Sequence, residues 1–311
     1  MQSVSVVIPV YNSHGSLPIL IEQLREVLAT SYKDYEVFLV NDGSQDESWD
    51  LIQEFMKKYL WLHGIDLMRN YGQHNALLCG IRQAQYEIIV TLDDDLQNPP
   101  EEIPLLTSKL IHEGCDVVYG TPREQQHGYL RDLASRITKI ALKSVMGVKV
   151  AQNVSPFRAF RTELREAFSQ YNGSFVSIDV LLSWGASRFS FQPVSHKGRA
   201  IGASNYTFSR LLRHALDMIT GFSVLPLQIA SFLGFGFTIF GAAILAYVFI
   251  NFLIHGSAVP GFAFLASIIA IFSGAQLLAI GIIGEYLARM HFRTLGRPAY
   301  KVRRHSNESA K

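Results

Sequence analysis

The sequence predicts an α/β protein in which a mostly parallel sheet domain, covered by helices on both faces, is followed by interfacial helices and a two-helix transmembrane hairpin. Three observations predict it. Apolar, β-branched runs alternate with helical patterns up to about residue 160, the order that builds a parallel sheet through crossover connections. Short polar motifs follow the strands, at the end of an open α/β sheet where ligands bind. The stretch from Met218 to Gly284 contains no Asp, Glu, Lys or Arg.

Taken in order, the first strand covers residues 4–10 and begins almost at the N-terminus, with no basic stretch and no signal peptide before it. A helix over 16–30 leads to a strand over 36–41, and a helix over 47–58 to a strand over 65–68. A helix over 75–85, a strand over 87–92, a helix over 104–113 and a strand over 116–120 complete the alternation. Tyr11-Asn12 follows the first strand, Asn41-Asp42-Gly43-Ser44 the second and Arg69-Asn70-Tyr71-Gly72 the third. The run from Asp93 through Asp94, Asp95, Leu96, Gln97 and Asn98 to Pro99-Pro100-Glu101 follows the fourth.

That acidic run carries the most chemistry. Carboxylates at the end of a buried strand repel one another and are costly to desolvate. A hard divalent cation, Mg2+ or Mn2+, relieves both problems, because it prefers oxygen ligands and shares its shell with substrate phosphates. The Pro-Pro pair ends the strand and stiffens the loop. Asp42 is placed to accept a hydrogen bond from the imide N–H of a uracil ring or from a ribose hydroxyl. Ser44 and Asp46 serve equally well as turn and helix-cap residues. Gly72 precedes a helix, so backbone N–H groups near Gln73 and His74 can meet phosphate or sugar oxygens. Ser155-Pro156-Phe157-Arg158 and the segment from Arg199 to Ser204 lie between the sheet and the apolar region, and arginine offers bidentate bonds to phosphate.

The uncharged stretch is long enough for two spans of roughly 20 residues each. Residues 226–254 form one and 261–284 the other, joined by a turn over 255–260. Arg210 and Arg213 precede the first span, and Arg289, Arg293, Arg297, Lys301, Arg303 and Arg304 follow the second, whereas the turn has no Lys or Arg. The excess of basic residues on one side places both termini and the large N-terminal region in the cytoplasm, with the basic tail close to anionic headgroups. Residues 129–146 and 206–220 have a helical period and a cationic face, which suits helices lying on the bilayer surface. The chain therefore divides into a catalytic domain over 1–165, an acceptor-side interfacial region over 166–225, the spans over 226–289 and a basic tail over 290–311, frayed from His305 onward.

Composition excludes other classes. With 28 Lys and Arg against 26 Asp and Glu, the formal charge of +2 argues against a nucleic-acid partner bound by general electrostatics. Cys79 and Cys115 lack metal-ligand spacing and read as free thiols in a reducing compartment.

Pro9-Val10-Tyr11-Asn12, Asn41-Asp42-Gly43-Ser44, Arg69 to His74, Asp93 to Pro100, Phe157-Arg158 and the loop from Gly202 to Tyr206 occur in that order. This set resembles the family 2 (GT-A, Rossmann-like) polyprenyl-phosphate glycosyltransferases, the group of dolichol-phosphate mannose synthase and the bacterial undecaprenyl-phosphate sugar transferases. The resemblance covers nearly the whole chain, including the paired apolar segments and Gly284-Glu285-Tyr286. It implies inverting transfer of a sugar from a nucleotide sugar, UDP-linked, to polyprenyl phosphate at the cytoplasmic face of the inner membrane, for cell-envelope glycan modification. It also implies self-association through the spans. It assigns Pro9, Tyr11, Asn12, Asp42, Gly72 and Gln73 to the nucleotide, and Asp93, Asp95 and Gln97 to the metal and diphosphate. Asp93, Asp94, Asp95 and Arg158 are assigned to catalysis, and Arg123, Arg131, Ser155, Arg158, Arg199 and Ser204 to acceptor or donor phosphates. The chain departs from the family pattern at Ser13, where Glu is frequent, at Asp94, where a small residue is usual, and at Asn205, where Lys is usual. At Pro156 some relatives carry Asp. Two other readings stay open. One is a processive polysaccharide synthase, which usually needs a longer membrane channel. The other is a non-catalytic membrane scaffold or translocation partner, against which the intact Asp93, Asp95 and Gln97 stand.

Overall fold

Eight strands form one mixed sheet in the order β7-β5-β6-β4-β1-β2-β3-β8. The structure, a computed structural model, describes residues 2–123, 153–173, 176–196, 225–255 and 262–305. The centre of the sheet is the predicted alternation: β1 (Ser3–Val10), α1 (Leu17–Ser31), β2 (Asp34–Asn41), α2 (Ser48–Lys58), β3 (Leu62–Leu67), α3 (Gln73–Gln83), β4 (Ile88–Thr91), α4 (Ile103–His112) and β5 (Val117–Pro122). β1 runs parallel to β2 and β4, and β2 parallel to β3.

Alternation of side chains along β1 sends Val4, Val6, Ile8 and Val10 into a core with Leu20, Leu24 and Leu28 of α1 and Leu106 and Leu110 of α4. Val7 faces the other way and joins Ala76, Leu77 and Leu78 of α3. On that second face α5 (Ile178–Ser183) packs through Ile178, Leu181 and Leu182. Both faces are thus dry, as parallel strands require. Cys79 and Cys115 are buried free thiols, and burial pushes the Cys79 thiol up to about 12.

Three strands depart from the expected organisation. β6 (Arg158–Arg161) inserts antiparallel between β4 and β5, and β7 (Phe189–Val194) adds parallel to β5, so the sheet extends past residue 165. β8 (Val302–His305) pairs antiparallel with β3, within the stretch expected to be a basic tail. An uncovered β3 edge would present unpaired backbone groups, and β8 satisfies them. Met68 N–H donates to the Lys301 carbonyl at 2.9 Å, and the Arg303 guanidinium donates to the Met68 carbonyl at 2.8 Å. Beside β8, Ala299 is buried, and Arg82 lies 5.7 Å from the centre of the Tyr300 ring.

Between β7 and β8 along the chain run α6 (Leu225–His255, 31 residues) and α7 (Phe262–Thr294, 33 residues). At 1.5 Å per residue each exceeds the roughly 30 Å hydrocarbon thickness of a bilayer. They pack on each other, with Phe237 and Phe272 edge to face at 5.8 Å between ring centres. Their apolar windows are not buried within the protein, and Phe232, Leu245 and Leu277 are exposed. A soluble core helix would bury such residues; a bilayer would cover them. The expected interfacial helices over 129–146 and 206–220 lie outside the described residues, and of the turn expected over 255–260 only His255 is described, as the last residue of α6.

Candidate active site

The polar motifs converge where the parallel strands end. Asn12, in the turn after β1, takes a positive φ of 54°; its N–H donates to Ser44 Oγ at 3.0 Å and its side-chain oxygen accepts the Gln45 N–H at 2.8 Å. After β2, Asn41 donates to Asp66 Oδ1 at 2.8 Å and accepts the Ser44 N–H at 3.2 Å. Gly43 follows at a φ of 68°, and a Cβ there would sit 2.6 Å from the backbone of Arg69 and Asn70. Glycine at 43 therefore lets the turn after β2 close against the turn after β3.

Asp42 is nearly buried. Its two oxygens accept the N–H groups of Tyr71 at 2.7 Å and Gly72 at 2.8 Å, which fixes the loop that opens α3. Burial raises its carboxyl to about 6, against the lowering effect of those two bonds. Gly72 has a φ of 97°, which turns the chain into α3 and points Gln73 toward β4. There the Gln73 side-chain amide donates to Asp93 Oδ1 at 2.6 Å.

The acidic triplet divides its labour. Asp93 is held by Gln73, and Asp95 Oδ1 accepts the Gln97 N–H at 3.1 Å across a tight turn that puts Leu96 at a φ of 62°. Asp94 turns to the β1 side, where it accepts the Tyr11 N–H at 3.2 Å and the Ser13 hydroxyl. Burial raises the Asp94 carboxyl to about 6, opposed chiefly by the Ser13 bond. Ser13 is the side chain that accommodates this carboxylate.

A cavity of about 210 Å³ results, lined by Pro9, Val10, Tyr11, Asp42, Asn70, Gly72, Gln73, Asp93, Asp94 and Asp95. It gathers residues from four separate strand ends. Its donor set suits a hard cation. Among the described residues no group of three His, Cys, Asp or Glu forms an all-protein cage. Two carboxylates at the rim match an ion that completes its shell with waters and substrate phosphates, as Mg2+ does.

Several expected site residues are not among those that line this cavity. Asn12 is absent from the cavity lining and braces the turn after β2 instead. Gln97 also lies outside the lining. Ser155 Oγ accepts the Phe157 N–H at 3.2 Å, a local turn, and Arg123 is exposed at the end of β5 with its N–H on the Val194 carbonyl. Arg131, Arg199 and Ser204 lie outside the described residues.

The largest difference from expectation concerns Arg158. Expected to meet a phosphate, it is only 1% exposed and pairs with Asp179 at the start of α5. Its Nε donates to Thr91 Oγ1 at 3.0 Å, the Thr91 hydroxyl donates to the Pro156 carbonyl at 2.7 Å, and the Tyr119 hydroxyl donates to Asp179 at 3.1 Å. A guanidinium buried this deeply needs a carboxylate, and Asp179 provides it. Asp179, Tyr119 and Thr91 were not singled out from the sequence, and no local pattern marks them. Asn70 and Val10 belong to motifs that were.

Residues 5–169 match the family model described as "Glycosyl transferase family 2". The undecaprenyl-phosphate 4-deoxy-4-formamido-L-arabinose transferase of Enterobacter sp. (strain 638) is 35% identical over 307 residues, covering 98% of this chain and 94% of its own. The protein of the same description from Photorhabdus laumondii is 34% identical with the same coverage. Among solved structures, glucosyl-3-phosphoglycerate synthase from Mycobacterium tuberculosis with phosphoglyceric acid superposes with a TM-score of 0.52 at 18% identity, over 71% of this chain and 79% of that one. Its complex with Mn2+, UDP and glucosyl-3-phosphoglycerate gives 0.50 at 19% identity, over 70% and 78%. At that identity the likeness shows a shared fold.

Proposed function

This chain belongs to glycosyl transferase family 2, and from that premise we propose that it transfers a sugar from a UDP-linked donor to polyprenyl phosphate at the cytoplasmic face of the inner membrane. The observation that carries the reading is the single cavity that brings Asp42 together with Asp93 and Asp95, on a chain that also has two helices able to cross a bilayer. The relatives described as undecaprenyl-phosphate transferases support the acceptor. The fold neighbour solved with Mn2+ and UDP supports the donor and the metal.

In this reading Asp42 would hold the uracil or ribose, Tyr11 and Gly72 would wall the nucleotide, and Asp93 and Asp95 would hold Mg2+ or Mn2+. The chemistry supplied there, once a cation is bound, would be charge neutralisation of the leaving diphosphate. The acceptor phosphate oxygen attacks the anomeric carbon, the bond from that carbon to the diphosphate breaks, and the nucleoside diphosphate leaves with the electron pair, inverting the centre. A phosphate monoester has a second pKa near about 6, so the nucleophile arrives already ionised. Pro156, which offers no base, then costs nothing, and its carbonyl is already engaged by Thr91. The membrane helices keep the prenyl tail beside the site.

Purified full-length protein incubated with UDP-sugars and a short-chain polyprenyl phosphate should form a lipid-linked monosaccharide and release UDP. Polymer as the product would favour a processive synthase, and no turnover with any nucleotide sugar would favour a scaffold. Asp42 adds a pH signature. Its ionised form is the stronger acceptor for a uracil imide or ribose hydroxyl, so UDP affinity should fall as pH is lowered through about 6. Asp42→Asn should abolish that step in calorimetric titrations and leave only the part due to the diphosphate itself. An unchanged profile would remove Asp42 from nucleotide binding.

Membrane orientation is tested by cysteine labelling of intact cells. A probe near Ser257 should react with an impermeant reagent and one near Ser306 should not, since basic residues flank the outer ends of the hairpin. The reverse pattern would place the donor site on the wrong side for a cytoplasmic nucleotide sugar.

A further inference from the structure

The acidic loop continues into a 3₁₀ turn, Pro100–Glu102, whose last residue has no part in the cavity. Glu102 is 8% exposed. Its Oε1 accepts the Ser195 N–H at 3.0 Å, while Oε2 is buried without a hydrogen-bond partner among the described residues. One turn earlier, the buried Asn98 places Oδ1 3.4 Å from Nδ1 of His196. Two side chains of the loop therefore grip two consecutive residues just past β7. β6 and β5 lie between β4 and β7 in the sheet, so the grip spans strands that do not touch.

A buried carboxylate is costly, and more so with one oxygen unpaired. An apolar residue would fill the same space without that cost, so what Glu102 adds is the bond to Ser195. The polyproline-like backbone at Pro99, with φ −65° and ψ 132°, makes a stiff spacer between Asn98 and Glu102. The inner end of the loop is already tied, through Asp93 to Gln73 and through Asp94 to Tyr11 and Ser13.

We propose that Glu102 is a positioning residue: by accepting the Ser195 N–H it ties the outer end of the acidic loop to the exit of β7, and so sets where Asp93 and Asp95 meet the metal and the diphosphate. The inference rests on the metal–diphosphate reading above. It separates two parts of UDP affinity. The nucleoside part, at Asp42 and the turn after β3, is independent of Glu102, whereas the metal-dependent part passes through the loop it holds.

The test is calorimetric titration of UDP into the detergent-solubilised full chain, with and without Mn2+. Wild type should bind UDP more tightly when Mn2+ is present. Glu102→Ala should lose about ten-fold of that gain, the worth of one hydrogen bond, and keep the metal-free affinity of wild type. Glu102→Gln retains an oxygen for the Ser195 N–H and should keep the gain. A wild type indifferent to Mn2+ would overturn the metal reading and this inference together. A responsive wild type with an equally responsive Glu102→Ala would overturn the inference alone. Loss in Glu102→Gln as deep as in Glu102→Ala would show that charge matters, not the acceptor bond, and would also overturn it. Should Glu102→Ala fail to fold, Glu102→Asp carries the test, because its shorter side chain cannot reach Ser195; a full Mn2+ response in that variant would refute the proposed role.

Discussion

Asp95→Asn should lower turnover by about two to three orders of magnitude, and chelation of divalent cations should take the wild type to background. Asn has the shape of Asp and lacks its charge, so the loop can keep its turn while the proposed metal–diphosphate site loses half of its carboxylate pair. Asp95 and Asp93 both line the cavity. The effect belongs to the step in which negative charge develops on the leaving diphosphate, so it should appear in kcat at saturating donor. Initial rates of lipid-linked sugar formation across a Mn2+ titration measure it. Full activity of the Asn variant in chelator would end the metal assignment. Asp94→Asn should behave differently, because Asp94 is spent on the Tyr11 N–H and the Ser13 hydroxyl and acts as a brace.

Arg158→Ala should destabilise the protein by about 3–5 kcal/mol, because it leaves the Asp179 carboxylate buried without its cation. The readout is the thermal denaturation midpoint of nucleotide-free protein. Activity should fall with it, since Thr91 stands two residues before Asp93 and depends on Arg158 for its orientation. The double variant Arg158→Met with Asp179→Leu should recover much of the lost stability, since replacing both charges removes the desolvation cost as well as the attraction. Were Arg158 a phosphate ligand, the Ala variant would keep its midpoint and show a raised KM for acceptor or donor. That result would restore the role expected from the sequence.

These two predictions differ in how far the sequence reaches. Asp93 and Asp95 are legible because the cause of their position is local: a β-branched run makes β4, the proline pair stops it, and the carboxylates sit where the strand ends. The same holds for Asp42 after β2 and Gly72 before α3, and for the two apolar helices, whose lack of charge is a property of composition alone. β1 to β5 and α1 to α4 all occur where periodicity places them, with ends displaced by only a few residues.

The surroundings of Arg158 are not legible in the sequence, because they are assembled from distant parts of the chain. Its partner Asp179 lies in another element, Thr91 in a third and Tyr119 in a fourth. β6 itself is four residues, Arg-Ala-Phe-Arg, too short and too polar to show a period. It is a strand because a gap between β4 and β5 has backbone groups to satisfy on both sides. β8, with the sequence Val-Arg-Arg-His, reads as a basic tail, and the open edge of β3 makes it a strand. By itself, then, the sequence determined the alternating core, the strand-end carboxylates and the apolar hairpin, because each follows from neighbours along the chain. Only the tertiary structure decided which polar residues face the cavity and which are consumed holding it together, because a buried charge or an unpaired strand edge is satisfied by whatever the fold brings beside it.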